Sequence, residues 1–453
     1  MTNKRKEKII SVFTCIIPIL ILFFLNSLNL HQRIILAATT LTISWWATGV
    51  VHRSFASILL IVVFISFGNI PLSIILKFPF SKTFFLIVFT FLLSEGIVKT
   101  NVADHIAQKL LQRVGNTPIK LIVLSFIMGT LLIFFIPQPF PRVILLSTIY
   151  IQYLKNERID KNTFAIVLFS IYVASTCTSM MFLNGDILLN YVALQMGQVQ
   201  LTWGQWAVYM AVPALMISTL ILISFILVFK RRISNISFKV CHKAETEELL
   251  DKNKIQTLII MFFVLVTFIT QPIHHIEGVW IIFCSVAIMF LLKILTFNDL
   301  KKINIHLLIF LTAAFAIGGV LSHTGIIENI IAKYIKVMPK SVNSTYFFFL
   351  ISMTMIVHLF LGSAVTTISV VLPMILRLNN MDINPVVLTL ITYTVVSIHY
   401  ILPFHQSTIM IGFGQNHYSN KEVFKFGCVL TFITFFGVLL IQIPWWKFLA
   451  LLS

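Results

Sequence analysis

Arg142 is the first residue that demands a chemical reading, because it stands inside a long apolar stretch. A charge at that depth is expensive unless paired or solvated, so it is a functional candidate by default. Its planar fork suits a carboxylate or another oxyanion. The competing reading is an arginine that snorkels from just below a turn. The turn itself, Pro137-Gln138-Pro139-Phe140-Pro141, adds the amide of Gln138 as a second candidate for an anion. Three further polar clusters interrupt apolar runs. In Asn184-Gly185-Asp186, the Asp186 carboxylate can ligate a cation, take a coupling proton or pair with Arg142; the bland reading is a solvated loop. Gly362-Ser363-Ala364-Val365-Thr366-Thr367 offers three hydroxyls. Pro403 is followed by Phe404-His405-Gln406-Ser407-Thr408, with an imidazole and an amide to donate to an anion and two hydroxyls for a cation. Other polar residues read as structural. Glu95 suits an interface, His358 and His399 lie on helical segments, and His274-His275 lacks further ligands for a metal.

What must position these groups is a membrane-embedded helical frame. The chain has 453 residues, of which 58% are hydrophobic and 11% charged. A soluble domain carries about 25% charged residues. Apolar runs long enough for a hydrocarbon layer recur throughout, at 9–28, 57–76, 121–135, 207–229, 258–269 and 429–443. Met1–Lys8 is basic and leads into the first run, but that run is too long for a signal peptide and no small-residue cleavage site follows. It is expected to stay as a helix. The net charge of +18 reflects basic residues gathered in cytoplasmic loops rather than nucleic-acid binding. With the N terminus inside, 24 of the 33 Lys and Arg fall on the cytoplasmic side. Five scattered cysteines suggest neither a disulfide framework nor a metal site.

The chain also repeats itself. The break Gly96–Ile106 matches Val320–Ile330, with Thr100 opposite Thr324 and Asp104 opposite Glu328, at a spacing of 224. The same spacing sets Pro137–Arg142 against Leu361–Thr366, and roughly sets Thr176–Asn190 against Tyr400–Gly414. Paired breaks in two halves point to a carrier built from inverted repeats, whose site lies where the breaks meet. Backbone freed from helical bonding must be buried in protein or line a cavity. The expected fold is therefore all-α and polytopic, with about eleven transmembrane helices plus two re-entrant hairpins in two inverted repeats. The expected regions are scaffold helices at 1–83, a first transport region at 84–230, a cytoplasmic linker at 231–254, second scaffold helices at 255–307 and a second transport region at 308–453.

At these breaks the chain resembles the divalent anion/sodium symporter family. The resemblance rests on Leu311–Gly325, on Gly362–Thr367 followed by Leu372-Pro373, on Ser397–Pro403, and on Leu201-Thr202-Trp203-Gly204-Gln205-Trp206 before Pro213. It covers roughly residues 84–446 and is one of layout more than of exact motif. It implies an elevator-type transporter, usually a homodimer, that carries small carboxylates or oxyanions and binds no cofactor beyond a coupling ion. The family's Ser-Asn-Thr tips touch both sodium and substrate. Here the second tip keeps hydroxyls without the asparagine, and the first tip carries Arg142 instead. The family's Thr-Pro-Pro-Asn loops are replaced by Asn184-Gly185-Asp186 and by Phe404–Thr408.

The resulting expectation is a secondary active transporter, not an enzyme, that moves a small anion across the cytoplasmic membrane with sodium or protons. Substrate contacts fall to Gln138, Arg142, Asn184, Ser363, Thr366, Thr367, His405 and Gln406; cation coupling falls to Asp186, Ser363, Thr366, Ser407 and Thr408. The N terminus is expected inside and Ser453 outside. The competing classes are a cation/proton antiporter, a channel, and a polytopic transferase acting on lipid-linked substrates. No loop offers the carboxylate and histidine cluster such a transferase displays, and no Gly-x-x-x-x-Gly-Lys-Ser/Thr loop supports an ATP-driven pump.

Overall fold

The computed structural model describes residues 15–25, 28–48, 50–154, 159–233, 251–326, 342–379 and 383–452, and among these residues no strand is found. Helices begin where a polar side chain closes the first turn of an apolar run. Thr117 accepts from the Lys120 amide just before Pro118, Asp160 accepts from Thr163, and Thr202 and Gln205 cap each other's backbone. Asn343 and Ser419 do the same for two later helices. Such caps satisfy amides that lipid would leave unpaired.

In chain order, α1 (Cys15–Phe24), α2 (Leu30–Thr48), α3 (Arg53–Phe67) and the single turn α4 (Leu72–Ile75) come first. Then follow α5 (Lys82–Lys99), α6 (Val102–Val114), α7 (Pro118–Leu131), α8 (Pro139–Leu154), α9 (Lys161–Thr178), α10 (Ile187–Met196) and α11 (Trp203–Phe229). After 251 come α12 (Lys252–Ile269), α13 (Gln271–His274), α14 (Gly278–Leu291) and α15 (Ile305–His323). The last are α16 (Ser344–Leu361), α17 (Ala364–Arg377), α18 (Pro385–Ile398), α19 (Ser407–Gly414), α20 (Asn420–Gly437) and α21 (Ile443–Phe448), the final two joined by a π turn at Val438–Gln442. Among the described residues, four stretches are long and apolar enough to cross a membrane: Trp203–Arg232, Lys252–Ile269, Ser344–Leu361 and Asn420–Phe448. Eight shorter apolar helices accompany them among the described residues, and α5 with α6 forms an apolar pair bent by 62° at Thr100-Asn101, the geometry of a broken span or of a re-entrant loop. Asn101 takes a left-handed conformation there, with φ of 53°.

Element bounds follow the spacing of 224 to within a few residues. Pro118–Leu131 falls opposite Ser344–Leu361, Pro139–Leu154 opposite Ala364–Arg377, and Lys161–Thr178 opposite Pro385–Ile398. The caps keep it too: Asp160 accepts from the Thr163 amide, and Asn384 from the Val386 amide at 2.9 Å. The second copy of the α5–α6 break is visible as far as Gly325 (φ +73°) and Ile326. The amphipathic partner expected at 328–336, and most of the linker expected at 231–254, lie outside the described residues.

The chain divides into two compact units. The first comprises Met1–Phe84, Val192–Val199 and Asn304–Val396. In it α2 and α3 form a pair against which α15 lies, with Trp46 edge-on to Phe310 at 4.7 Å, Ser54 Oγ 2.9 Å from His306 Nδ1, and Phe78 stacked on Phe315 at 4.4 Å. Helices α16 and α17 make a hairpin that turns at Gly362, whose left-handed φ of +59° lets its amide reach the His358 carbonyl at 2.9 Å.

The second unit comprises Phe85–Tyr191, Gln200–Ile303 and Ser397–Ser453. Its centre is α9, which is buried from Ile166 to Thr178 on every face. A helix apolar all round belongs inside a bundle, and α9 touches α7, α8, α11 and α19. Helices α7 and α8 form the other hairpin, closed by the Tyr150 hydroxyl donating to the Leu121 carbonyl at 3.0 Å. Helix α11 runs antiparallel to α20–α21. Trp446 Nε1 donates to the Tyr209 carbonyl at 3.0 Å, Gly437 faces Ile217, and at the other end Lys425 reaches the Val228 carbonyl and Arg232 the Glu422 carboxylate at 2.6 Å.

Candidate functional site

The first tip is built by proline chemistry. Helix α7 tightens into a 3-10 turn at Leu132–Phe134, and α8 starts directly at Pro139. Pro139 and Pro141 fall in the first turn of α8, where a missing amide costs nothing because those amides have no helical acceptor. One helical turn further on, Arg142 points inward and has no exposed surface. Its Nη1 donates to the Ile136 carbonyl at 3.3 Å. Its Nη2 faces the Ser175 carbonyl at 3.2 Å, Ser179 Oγ at 2.5 Å and the Gly185 carbonyl at 3.2 Å.

This resolves the choice between a snorkelling and an inward arginine. Desolvating the charge costs several kcal/mol, whereas hydrogen bonds to a charged group contribute about 1.5–3 kcal/mol each. Four such contacts hold the guanidinium inside. Its acceptors are freed where helices stop: beyond the 3-10 turn, in the last turn of α9, and in the loop before α10. Gly185 is required there, because a Cβ on it would stand 2.0 Å from the Ser179 carbonyl oxygen.

The other first-half candidates take different parts. Gln138 is buried, with its Nε2 lacking any hydrogen-bond partner. Asn184 is spent on structure: its amide donates to the Ile133 carbonyl at 3.3 Å and accepts from Trp203 Nε1 at 2.9 Å. Asp186 caps α10 by accepting from the Leu189 amide at 3.1 Å. No ion pair within 4 Å joins it to Arg142, on which it acts only through space. Beside this tip, Pro137, Asn184, Ile187 and Trp203 border a small recess walled by apolar side chains such as Leu93 and Phe268.

After Pro403 the chain returns to α9. Thr408 Oγ1 lies 2.7 Å from Thr176 Oγ1, and α19 touches both α8 and α9. His405 Nδ1 accepts from the amides of Ile401 and Leu402, both at 3.1 Å, while Gln406 Nε2 donates to the Ser397 carbonyl at 2.8 Å. These two side chains close the unwound turn between α18 and α19. Ser407 is exposed at the start of α19. A neighbouring polar pair that sequence reading passed over is Tyr172, whose hydroxyl lies 2.8 Å from His417 Nδ1.

The second tip belongs to the other unit. Ser363 Oγ accepts from the Thr366 amide at 3.4 Å and caps α17. Thr367 donates to the Ser363 carbonyl at 2.8 Å and lies 3.0 Å from His358 Nδ1. Thr366 is fully buried and its Oγ1 has no partner; Ser369, one turn on, is the same.

Outside the apolar segments, the end of α5 carries an ionic cluster. Lys99 pairs with Asp299 at 2.5 Å, Lys302 pairs with Glu95, and Lys302 also stands 4.0 Å from Asp299. The Lys99 ammonium and the Thr296 backbone hold the Asp299 carboxyl down at about 2, and Glu95 raises the Lys302 ammonium.

Among the described residues, an all-helical frame with apolar spans, two helical hairpins and polar breaks buried in protein is that of a multi-pass membrane protein. Comparison with known proteins makes this specific: residues 3–452 match the family model of the sodium:sulfate symporter transmembrane region, and the chain belongs to that family. It is similar to the "Inner membrane protein YbhI" of Escherichia coli (strain K12), 23% identical over 387 residues, covering 82% of this chain and 81% of that one. It is also similar to the "Putative malate transporter YflS" of Bacillus subtilis (strain 168), 26% identical over 239 residues, about half (49%) of each chain.

Proposed function

We propose that the protein is a secondary active transporter of a small carboxylate or inorganic oxyanion, built as two inverted repeats and working by an elevator movement. The observation that carries this is the buried guanidinium of Arg142 at the first tip, a fixed positive charge held where helices stop. The name of the malate-transporter relative supports a carboxylate. The antiparallel run of α11 and α20–α21 supports the inversion, because α20–α21 occupies the place in the second half that α11 has in the first. Repeats related by an axis along the membrane normal would make such partners parallel.

Free donors suited to an anion are Gln138 Nε2 at the first tip, beside the field of Arg142, and, within the other unit, the hydroxyls of Ser363 and Thr366 at the second. Asn184, Thr367, His405 and Gln406 hold the backbone that shapes the site. Coupling uses at most one sodium ion; neutral oxygens suited to it stand at Ser363 and Thr366 in one unit and, separately, at Ser407 and Thr408 in the other. The scaffold is assigned to 1–83 and 255–307, the transport regions to 84–230 and 308–453, and the active form is a homodimer in the cytoplasmic membrane with the N terminus inside.

The test is uptake into proteoliposomes of labelled dicarboxylates, citrate and sulfate, with sodium and pH gradients imposed separately. Gradient-driven accumulation of one of these anions is the expected result. Accumulation of none overturns the reading. Accumulation driven by pH alone removes the sodium ion and makes Asp186 the proton carrier.

A further inference from the structure

We propose that the Arg142 side chain is a tethered replacement for a coupling cation, its guanidinium permanently filling an oxygen cage that would otherwise hold an exchangeable alkali ion. The acceptors of the guanidinium are the carbonyls of Ile136, Ser175 and Gly185 and the hydroxyl of Ser179. All four are neutral oxygens, they come from three separate segments, and each segment is a place where helical bonding ends. Carbonyls of unwound helices are the donors from which membrane carriers make sodium sites. An arginine kept for a structural ion pair would face a carboxylate, whereas Asp186, whose charge reaches Arg142 only through space, is engaged with the Leu189 amide.

The cage is also built for close approach. Gly185 lets its loop pass against the Ser179 backbone, which a Cβ would block at 2.0 Å. Ser179 Oγ itself donates to the Ser175 carbonyl at 2.5 Å, so its lone pairs are turned toward the guanidinium. At the same place in the second half, 224 residues on, stands Thr366. There the side chain is an oxygen, buried and without a partner, rather than a charge. One half therefore carries its positive charge covalently, and the other has an acceptor to offer a soluble one.

The inference rests on the proposed transport function for its meaning, but its test reads cation binding and is independent of transport. Thermal unfolding of the purified full chain is followed in choline, lithium, sodium and potassium chloride at equal ionic strength. All variants carry Thr366→Ala, so that an ion at the second tip does not contribute. In this background Arg142→Ser is expected to lower the Tm in choline, and sodium or lithium should restore at least half of the loss with a saturable dependence. Adding Ser179→Ala should abolish that recovery. Arg142→Lys should keep the parent Tm and remain insensitive to alkali ions, because an ammonium still fills the cage. The proposal is overturned if no alkali ion restores Arg142→Ser, or if sodium stabilises the parent as strongly as the variant. Should Arg142→Ser not fold, Arg142→Lys decides: its failure to fold as well would mean that the fork, not the charge, is what the cage requires. Absence of anion uptake would sink the proposed function without altering these outcomes.

Discussion

The two hairpin tips occupy equivalent places in the repeat and solve the same problem with opposite chemistry. At the first, prolines start α8 and Arg142 sends a positive charge into a ring of carbonyls. At the second, Gly362 turns the chain and Thr366 leaves a buried hydroxyl with nothing to bond. The first tip has its charge held by its own chain; the second offers only uncharged hydroxyls. A buried polar atom without a partner costs about 1–3 kcal/mol, and each tip carries one, an amide donor at Gln138 and a hydroxyl at Thr366. The two tips thus share a similar layout of helix, turn and helix while differing in whether the chain itself supplies a charge.

The comparison is broken most severely at Arg142. Replacing it with Ala removes the charge and strands several buried oxygens, each costing about 1–3 kcal/mol. Anion uptake in proteoliposomes should be abolished, with a clear fall in Tm. Normal uptake by Arg142→Ala would mean that the two tips differ in sequence only. Gly185→Ala comes next, because its Cβ must push the loop off Ser179. It should reduce uptake by roughly tenfold, the cost of losing about 1.4 kcal/mol of transition-state stabilisation, while Gly204→Ala, whose Cβ meets nothing within 4 Å, leaves uptake unchanged. Thr366→Ala sharpens the contrast from the other side: it should raise the sodium concentration for half-maximal uptake and leave the maximal rate nearly intact.

The smallest effect lies away from both tips, at Asp299. Its carboxyl is held near 2 by Lys99, below the unfolded value of about 3.9. A depressed carboxyl stabilises the fold above its unfolded value, and that contribution is lost as pH falls through the folded one. Asp299→Asn should therefore narrow the difference in Tm between pH 6 and pH 3 without changing uptake at neutral pH. An unchanged acid profile would mean that the cluster is screened by solvent.

Much of the frame could be read from residue order. Apolar runs marked three of the four long spans but not Ser344–Leu361, and a spacing near 224 recurs in helix bounds and in the paired caps Asp160 and Asn384. Arg142 was legible too, since a charge within an apolar run has few innocent explanations. Its partners were not. Three of the four are backbone carbonyls, which every residue possesses, so no side-chain pattern announces them. Ser175 and Ser179 did leave a trace, a run of hydroxyls one helical turn apart at the end of α9. His405 and Gln406 look like ligands in sequence because their donors suit an anion. In the fold those same atoms meet the amides and carbonyl of an unwound turn. A side chain that caps backbone and one that binds substrate have the same composition, and only geometry separates them.

The most direct test of the central contrast is the sodium dependence of anion uptake by the unmodified protein. With one charge fixed in the first half, at most one sodium ion remains to be bound. The rate should rise hyperbolically with sodium, with a Hill coefficient of about 1, or not respond to sodium at all. A sigmoidal dependence with a coefficient approaching about 2 would require two exchangeable ions, and would contradict the assignment of Arg142 as the first half's permanent charge.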